Sequence, residues 1–185
     1  GAIGAKIAHP DRRVLAINHT STLDLLLACA YWPERGAGIL KKEFRDIPVL
    51  GWAAEVLGHV FVDRSSTENA KASMAIAAEK MRRDDRAVIL APEGTRSVTG
   101  ELGRFKVGAW HLAAAADAPL VPLVVYGAHQ AWPKKRWSSR GGIVRIGVLP
   151  TLYPAAIPPS DFRESAASLR DRYVEALADA GSRAT

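Results

Sequence analysis

The chain has 185 residues, 48% hydrophobic and 24% charged, enough apolar material for one domain with a sizeable core. A formal net charge of +6 and a pI near 9.7 favour anionic partners: phosphorylated metabolites, an anionic bilayer, an acidic carrier protein or nucleic acid. The single cysteine, Cys29, excludes a disulfide framework and a cysteine-based metal site, and no apolar run is long enough to span a bilayer.

In chain order, Val14-Leu15-Ala16-Ile17 is short, apolar and β-leaning. The helix-like run from Thr22 through Leu25-Leu26-Leu27-Ala28-Cys29-Ala30 follows it. Asn18-His19-Thr20-Ser21-Thr22-Leu23-Asp24 lies at the junction. The spacing lets a strand-end imidazole meet a carboxylate on the first turn of the next helix. A carboxylate on one ring nitrogen fixes the tautomer and leaves the other nitrogen free to take a proton. Asp24 is the only charge on an apolar helix and needs a partner there. No Gly-x-Ser-x-Gly elbow supplies a nucleophile, so the hydroxyl to be deprotonated belongs to a substrate. His9, His59, His111 and His129 have Val14, Arg64, Ala116 and Lys134 where His19 has Asp24.

Pro33 and Gly36 break the chain before a second strand, Ala37-Gly38-Ile39-Leu40. It ends in Lys41-Lys42-Glu43, which either faces the His19 pocket or forms a solvated turn. Phe44 to Leu57 suits a short or broken helix, read as ordinary core or as an acyl-chain groove. A third strand, Gly58-His59-Val60-Phe61-Val62-Asp63-Arg64, ends in an Asp-Arg pair. Arg64 can fork onto a phosphate or pair with Asp63.

Ser65 and Glu68 have capping-box spacing, and Ala70, Met74, Ala77 and Met81 recur at helical intervals, so a helix is expected from about 66 to 83. Ala87-Val88-Ile89-Leu90-Ala91 reads as a strand buried on both faces of a parallel sheet. It delivers Pro92-Glu93-Gly94-Thr95-Arg96-Ser97, with a glycine for close approach and a guanidinium for phosphate at the strand's end, where open sheets place ligands.

Phe105-Lys106-Val107-Gly108 leads into a helix through Ala116, on which His111 reads as a packed histidine. Leu120 to Tyr126 is a further strand, whose Pro122 marks an edge, a bulge or the strand's beginning. Trp132 and Trp137 among Lys134, Lys135, Arg136 and Arg140 suggest either an interfacial patch for anionic lipid or a solvated loop. Gly142 to Leu149 forms a last strand, and Phe162, Ala166, Leu169, Tyr173 and Leu177 mark a closing amphipathic helix. The alternation predicts an α/β fold with a mostly parallel central sheet flanked by helices, as one domain over residues 1–185.

Four ordered blocks, Asn18-His19-x-Ser21-x-x-Asp24, Gly58-x-x-Phe61-x-Asp63-Arg64, Glu93-Gly94-Thr95-Arg96 and Val121-Pro122, closely resemble the motifs of the glycerolipid acyltransferase family, in particular 1-acylglycerol-3-phosphate (lysophosphatidic acid) acyltransferases. The resemblance spans about residues 14 to 126. It implies a His19/Asp24 dyad that activates the sn-2 hydroxyl of a lysophosphatidate toward an acyl thioester of coenzyme A or acyl carrier protein. It further implies that Arg64 and Glu93, Gly94, Thr95 and Arg96 hold the acceptor phosphate, with Lys42 a further candidate. Ala91 stands where many relatives have an aromatic residue. No bound cofactor or metal is expected.

The resemblance also implies association with an anionic membrane surface, on the cytoplasmic face of the inner or cell membrane, and a membrane-embedding segment preceding Gly1. Glycerol 3-phosphate, another lysophospholipid or a glycolipid are alternative acceptors, and hydrolysis of the thioester is a rival use of the dyad. A non-catalytic lipid or nucleic-acid binder is the reading from another class; no helix-turn-helix, RNA-recognition or zinc-finger signature supports nucleic acid.

Overall fold

The structure is a computed structural model that describes residues 12–21, 23, 24, 36–133 and 138–182. Within them six strands form one sheet: β1 (Val14–Ile17), β2 (Gly36–Lys41), β3 (Val60–Val62), β4 (Ala87–Leu90), β5 (Leu120–Tyr126) and β6 (Arg145–Val148). Their order is β3-β2-β4-β1-β5-β6. Every pairing is parallel except that of β5 with β6. The expected α/β architecture with a mostly parallel sheet is therefore present.

The central strands are apolar throughout because both of their faces are covered; every residue of β1 and β4 is buried. Period-two alternation divides β1 between two cores. Val14 and Ala16 face one formed with Met81, Trp110, Phe162 and Tyr173, whereas Leu15 and Ile17 join Ile89, Val121, Leu123 and Val125 on the other side.

Helices α1 (Leu50–Val56), α2 (Thr67–Asp84), α3 (Gly108–Ala115), α4 (Ala128–Ala131) and α5 (Phe162–Ser182) connect and flank the strands. The stripes expected on α2 and α5 face the first core: Ala77, Met81, Phe162, Ala166, Leu169 and Tyr173 are buried, each large side chain contributing about 1.5–3 kcal/mol. The Trp110 indole N–H donates to Ser165 Oγ at 2.9 Å and ties α3 to α5.

Several expectations need correction or completion. The cap of α2 is Ser66, whose hydroxyl accepts from Asn69 N–H at 3.0 Å. Ser65 is instead drawn to Asp63, to which its N–H and O–H both donate. Pro122 lies inside the sheet at a bulge: Leu120 pairs with Leu152 but Leu123 pairs with Val148, so the register shifts by one residue where proline offers no N–H. The His111 ring meets Phe162 edge-on at 5.1 Å while the residue keeps a solvent-exposed surface.

Ordinary core is overturned for the Phe44 to Leu57 segment. Phe44, Ile47, Val49, Leu50, Trp52, Val56 and Leu57 are all exposed, Trp52 at 68%. A short helix preceded by a 3₁₀ turn at Lys42–Asp46 caps the sheet's end and has no opposing layer among the described residues. The helical run beyond Asp24, with Cys29, and the central part of the Trp-Lys patch, 134–137, lie outside the described residues.

Candidate active site

Because β1, β2, β3 and β4 run parallel, their C-terminal ends share one edge of the sheet. The segments leaving them are Asn18-His19, Lys42, Asp63-Arg64 and Pro92-Glu93-Gly94. Sequence blocks up to 74 residues apart thus meet, as at the His19–Glu93 contact.

His19 Nδ1 lies 2.9 Å from Asp24 Oδ2. The same carboxylate oxygen accepts the backbone N–H groups of Thr20 and Ser21, each at 2.7 Å. Asp24 is buried with 2% of its side chain exposed, whereas the His19 side chain is 32% exposed. Three donors on one oxygen fix the carboxylate; its contact to Nδ1 presents the imidazole's Nε2 as the reactive nitrogen. An anchored inner residue and an accessible outer one suit a base that meets an incoming hydroxyl.

The strand end is held from several sides. Asn18 extends the β1–β5 ladder with its side chain: Nδ2 donates to Val125 O at 2.9 Å, and Val125 N–H donates to Oδ1 at 2.7 Å. Tyr173 O–H donates to Ala16 O at 2.7 Å. His129 Nδ1–H donates to Thr20 O at 3.0 Å, and Ser21 O–H donates to Trp132 O. The Tyr173 hydroxyl, on the α5 stripe, and the His129 ring make contacts that span 157 and 109 residues, so no local sequence signal points to either.

The β4 turn grips His19 by its backbone. Glu93 Oε1 accepts the His19 N–H at 3.1 Å, and Ser97 N–H donates to His19 O at 2.9 Å. Glu93 is 5% exposed. Burial pushes its carboxyl above the usual carboxylate range, while hydrogen bonds from its own and the His19 backbone N–H act in the opposite sense. Glu93 is thus turned inward, toward the dyad's backbone. Thr95 is exposed and Arg96 half-buried on the same turn.

Of the two readings for Arg64, pairing with Asp63 is not the one found: its guanidinium donates to Gly94 O. Lys42 takes the Asp63 carboxylate instead, at 3.1 Å. Hydrogen bonds from the Ser65 hydroxyl and backbone, then from Lys42, lower the Asp63 pKa to about 2. Arg64 and Gly94 are therefore brought together, and Lys42 stands one residue off, already paired. Among the described residues no group of three or more His, Cys, Asp or Glu side chains could hold a metal ion.

Residues 4–126 match the Acyltransferase family, and the chain belongs to it. It is 31% identical over 170 residues to the 1-acyl-sn-glycerol-3-phosphate acyltransferase of Saccharomyces cerevisiae, covering 91% of this chain and 56% of that protein. To the alpha form of Mus musculus it is 34% identical over 158 residues, covering 85% and 55%. The crystal structure of the 1-acyl-sn-glycerophosphate (LPA) acyltransferase from Thermotoga maritima superposes with a TM-score of 0.72 at 28% identity, covering 90% of this chain and 66% of that one. The chain spans about half the length of the curated relatives it matches.

Proposed function

We propose that this chain transfers a fatty acyl group from acyl-CoA or acyl carrier protein to the sn-2 hydroxyl of 1-acylglycerol-3-phosphate, giving phosphatidic acid. The observation that carries this reading is the 2.9 Å contact between His19 Nδ1 and the buried Asp24 carboxylate, at the edge where the Arg64–Gly94 contact supplies a cation. Relatives named for this acceptor support its choice.

In this mechanism His19 Nε2 takes the proton of the acceptor hydroxyl as its oxygen attacks the thioester carbonyl. Asp24 stabilises the imidazolium through Nδ1–H. The tetrahedral adduct expels the thiolate, which takes the proton back from Nε2–H, so base and proton balance are restored in one turnover. Arg64, Arg96 and the Gly94-Thr95 backbone bind the acceptor phosphate, with Lys42 at its margin. Phosphate recognition away from the reacting hydroxyl fixes its orientation. Glu93 belongs to this machinery as the group that sets the His19 backbone.

The reading also places the chain on an anionic membrane surface, at its cytoplasmic face. An amphiphilic acceptor resides there, the net charge is +6, and the exposed apolar residues of α1 and the preceding turn adjoin the edge that carries the site. No described helix is long and apolar enough to cross a membrane.

Thiol release from a long-chain acyl-CoA, with and without lysophosphatidate, tests the reading against His19→Ala. Release that requires the acceptor and disappears in the variant is the expected result. Acceptor-independent release would make the chain a thioesterase, and release unaffected by the substitution would remove the dyad from the chemistry.

A further inference from the structure

The turn that carries Gly94 has a second cationic neighbour, supplied from the loop that leads into α3. Gly94 has φ +72, and a Cβ placed on it would lie 3.1 Å from Lys106 Nζ. The ammonium therefore hangs over the α-carbon of Gly94, whereas the Arg64 guanidinium holds the Gly94 carbonyl. A residue larger than glycine would fill the space between that ammonium and the turn.

Lys106 is held in this position by its backbone. Its N–H donates to Pro92 O at 2.8 Å, within the same turn. Phe105 is buried and meets Tyr173 edge-on at 5.1 Å, which anchors the inward side of the segment and leaves Lys106 pointing outward. Upstream, Arg170 on α5 donates to Gly103 O and Leu102 O, both at 3.2 Å. The loop is thus tied to β4 at one end and to α5 at the other.

The Lys106 side chain is exposed and makes no ion pair or hydrogen bond among the described residues. Lys42 differs in having the Asp63 carboxylate at 3.1 Å. A phosphate monoester carries about −1.5 to −2 charges near neutral pH and has three acceptor oxygens, so it favours more than one cation. A solvated, unpaired ammonium beside an Arg-bearing glycine turn supplies the second without first giving up an ion pair.

We infer that Lys106 is a further ligand for the acceptor's phosphate, acting with Arg64 about Gly94; this rests on the reading of the chain as an acyltransferase for a phosphorylated glycerol acceptor. Coenzyme A also carries phosphates, and the experiment separates the two sources. Steady-state rates are measured for the parent, Lys106→Gln and Lys106→Arg with 1-oleoylglycerol-3-phosphate, first with oleoyl-CoA and then with oleoyl-pantetheine, which lacks the nucleotide phosphates.

In Lys106→Gln the KM for 1-oleoylglycerol-3-phosphate is expected to rise roughly 10- to 100-fold with either donor. The KM for oleoyl-CoA stays at the parental value, and Lys106→Arg recovers most of the acceptor affinity. An unchanged acceptor KM overturns the proposal. So does a rise confined to the KM for oleoyl-CoA, which would assign Lys106 to the donor.

Titration calorimetry of 1-oleoylglycerol-3-phosphate below its micellar range gives a readout independent of turnover. Should the parent transfer no acyl group, the function reading fails by itself; weaker binding to Lys106→Gln than to the parent still supports the phosphate site, and equal binding removes it.

Discussion

Glu93 accepts the backbone N–H of His19 at 3.1 Å, although 74 residues separate them. The dyad's histidine is therefore positioned by the β4 turn as well as by its own strand. Glu93→Ala leaves that N–H without its acceptor and is expected to lower stability by about 1–3 kcal/mol, whereas Glu93→Gln keeps an oxygen there. Burial raises the Glu93 pKa in the folded chain. Its contribution to stability is thus full below the ordinary carboxylate range and is lost as pH rises through the raised value. Urea midpoints across that window should fall for the parent relative to Glu93→Gln. Parallel curves would show that Glu93 does not titrate as its burial requires.

Asp24→Asn tests orientation separately from folding. An asparagine oxygen can still accept from Thr20 and Ser21 N–H, so the loop survives, but the anion that supports a His19 imidazolium is gone. The expected result is a fall in kcat of roughly 10³- to 10⁴-fold, with acceptor KM within about threefold of the parent. Retention of more than about a tenth of parental kcat would separate Asp24 from the chemistry.

Arg64 and Lys42 end adjacent strands, yet their surroundings predict unequal effects. Lys42 faces Asp63, whose pKa of about 2 keeps it anionic throughout the working range, while Arg64 reaches the Gly94 turn. Arg64→Gln is expected to raise the KM for lysophosphatidate by about tenfold or more, and Lys42→Gln by about two- to threefold. Kinetics on both variants decide this; a larger effect from Lys42 would reverse the assignment.

Trp52 is 68% exposed between the equally uncovered Val49 and Val56. If this face meets a bilayer, Trp52→Glu should reduce flotation with phosphatidylglycerol vesicles about five- to tenfold while leaving the melting temperature within a few degrees. Undiminished flotation would place the membrane contact elsewhere on the chain.

Local patterning made the elements legible. The period of two in β1 and the stripes of Met81 and Tyr173 report which side of an element is covered, a property each short segment carries by itself. Phe44 to Leu57 is apolar yet exposed, because an apolar composition does not say whether another layer exists to cover it. Likewise the Ser65-to-Glu68 spacing contains nothing about the competing Asp63 acceptor, which draws Ser65 away and leaves Ser66 as the α2 cap.

The sequence by itself singled out the His19–Asp24 pair, because no other histidine has an aspartate at that offset and three further motif blocks follow in order, and it determined the α/β class through the alternation of strand and helix periods. Only the tertiary structure decided that Glu93 turns inward to the His19 backbone, that Asp63 takes Lys42 and releases Arg64 to Gly94, and that Lys106 lies over the same glycine. These contacts join residues from 12 to 74 positions apart. The first three are chosen by the strand order β3-β2-β4-β1-β5-β6, which brings distant strand ends to one edge and which no local pattern encodes, whereas Lys106 returns to Gly94 within the β4–α3 connection through its backbone bond to Pro92.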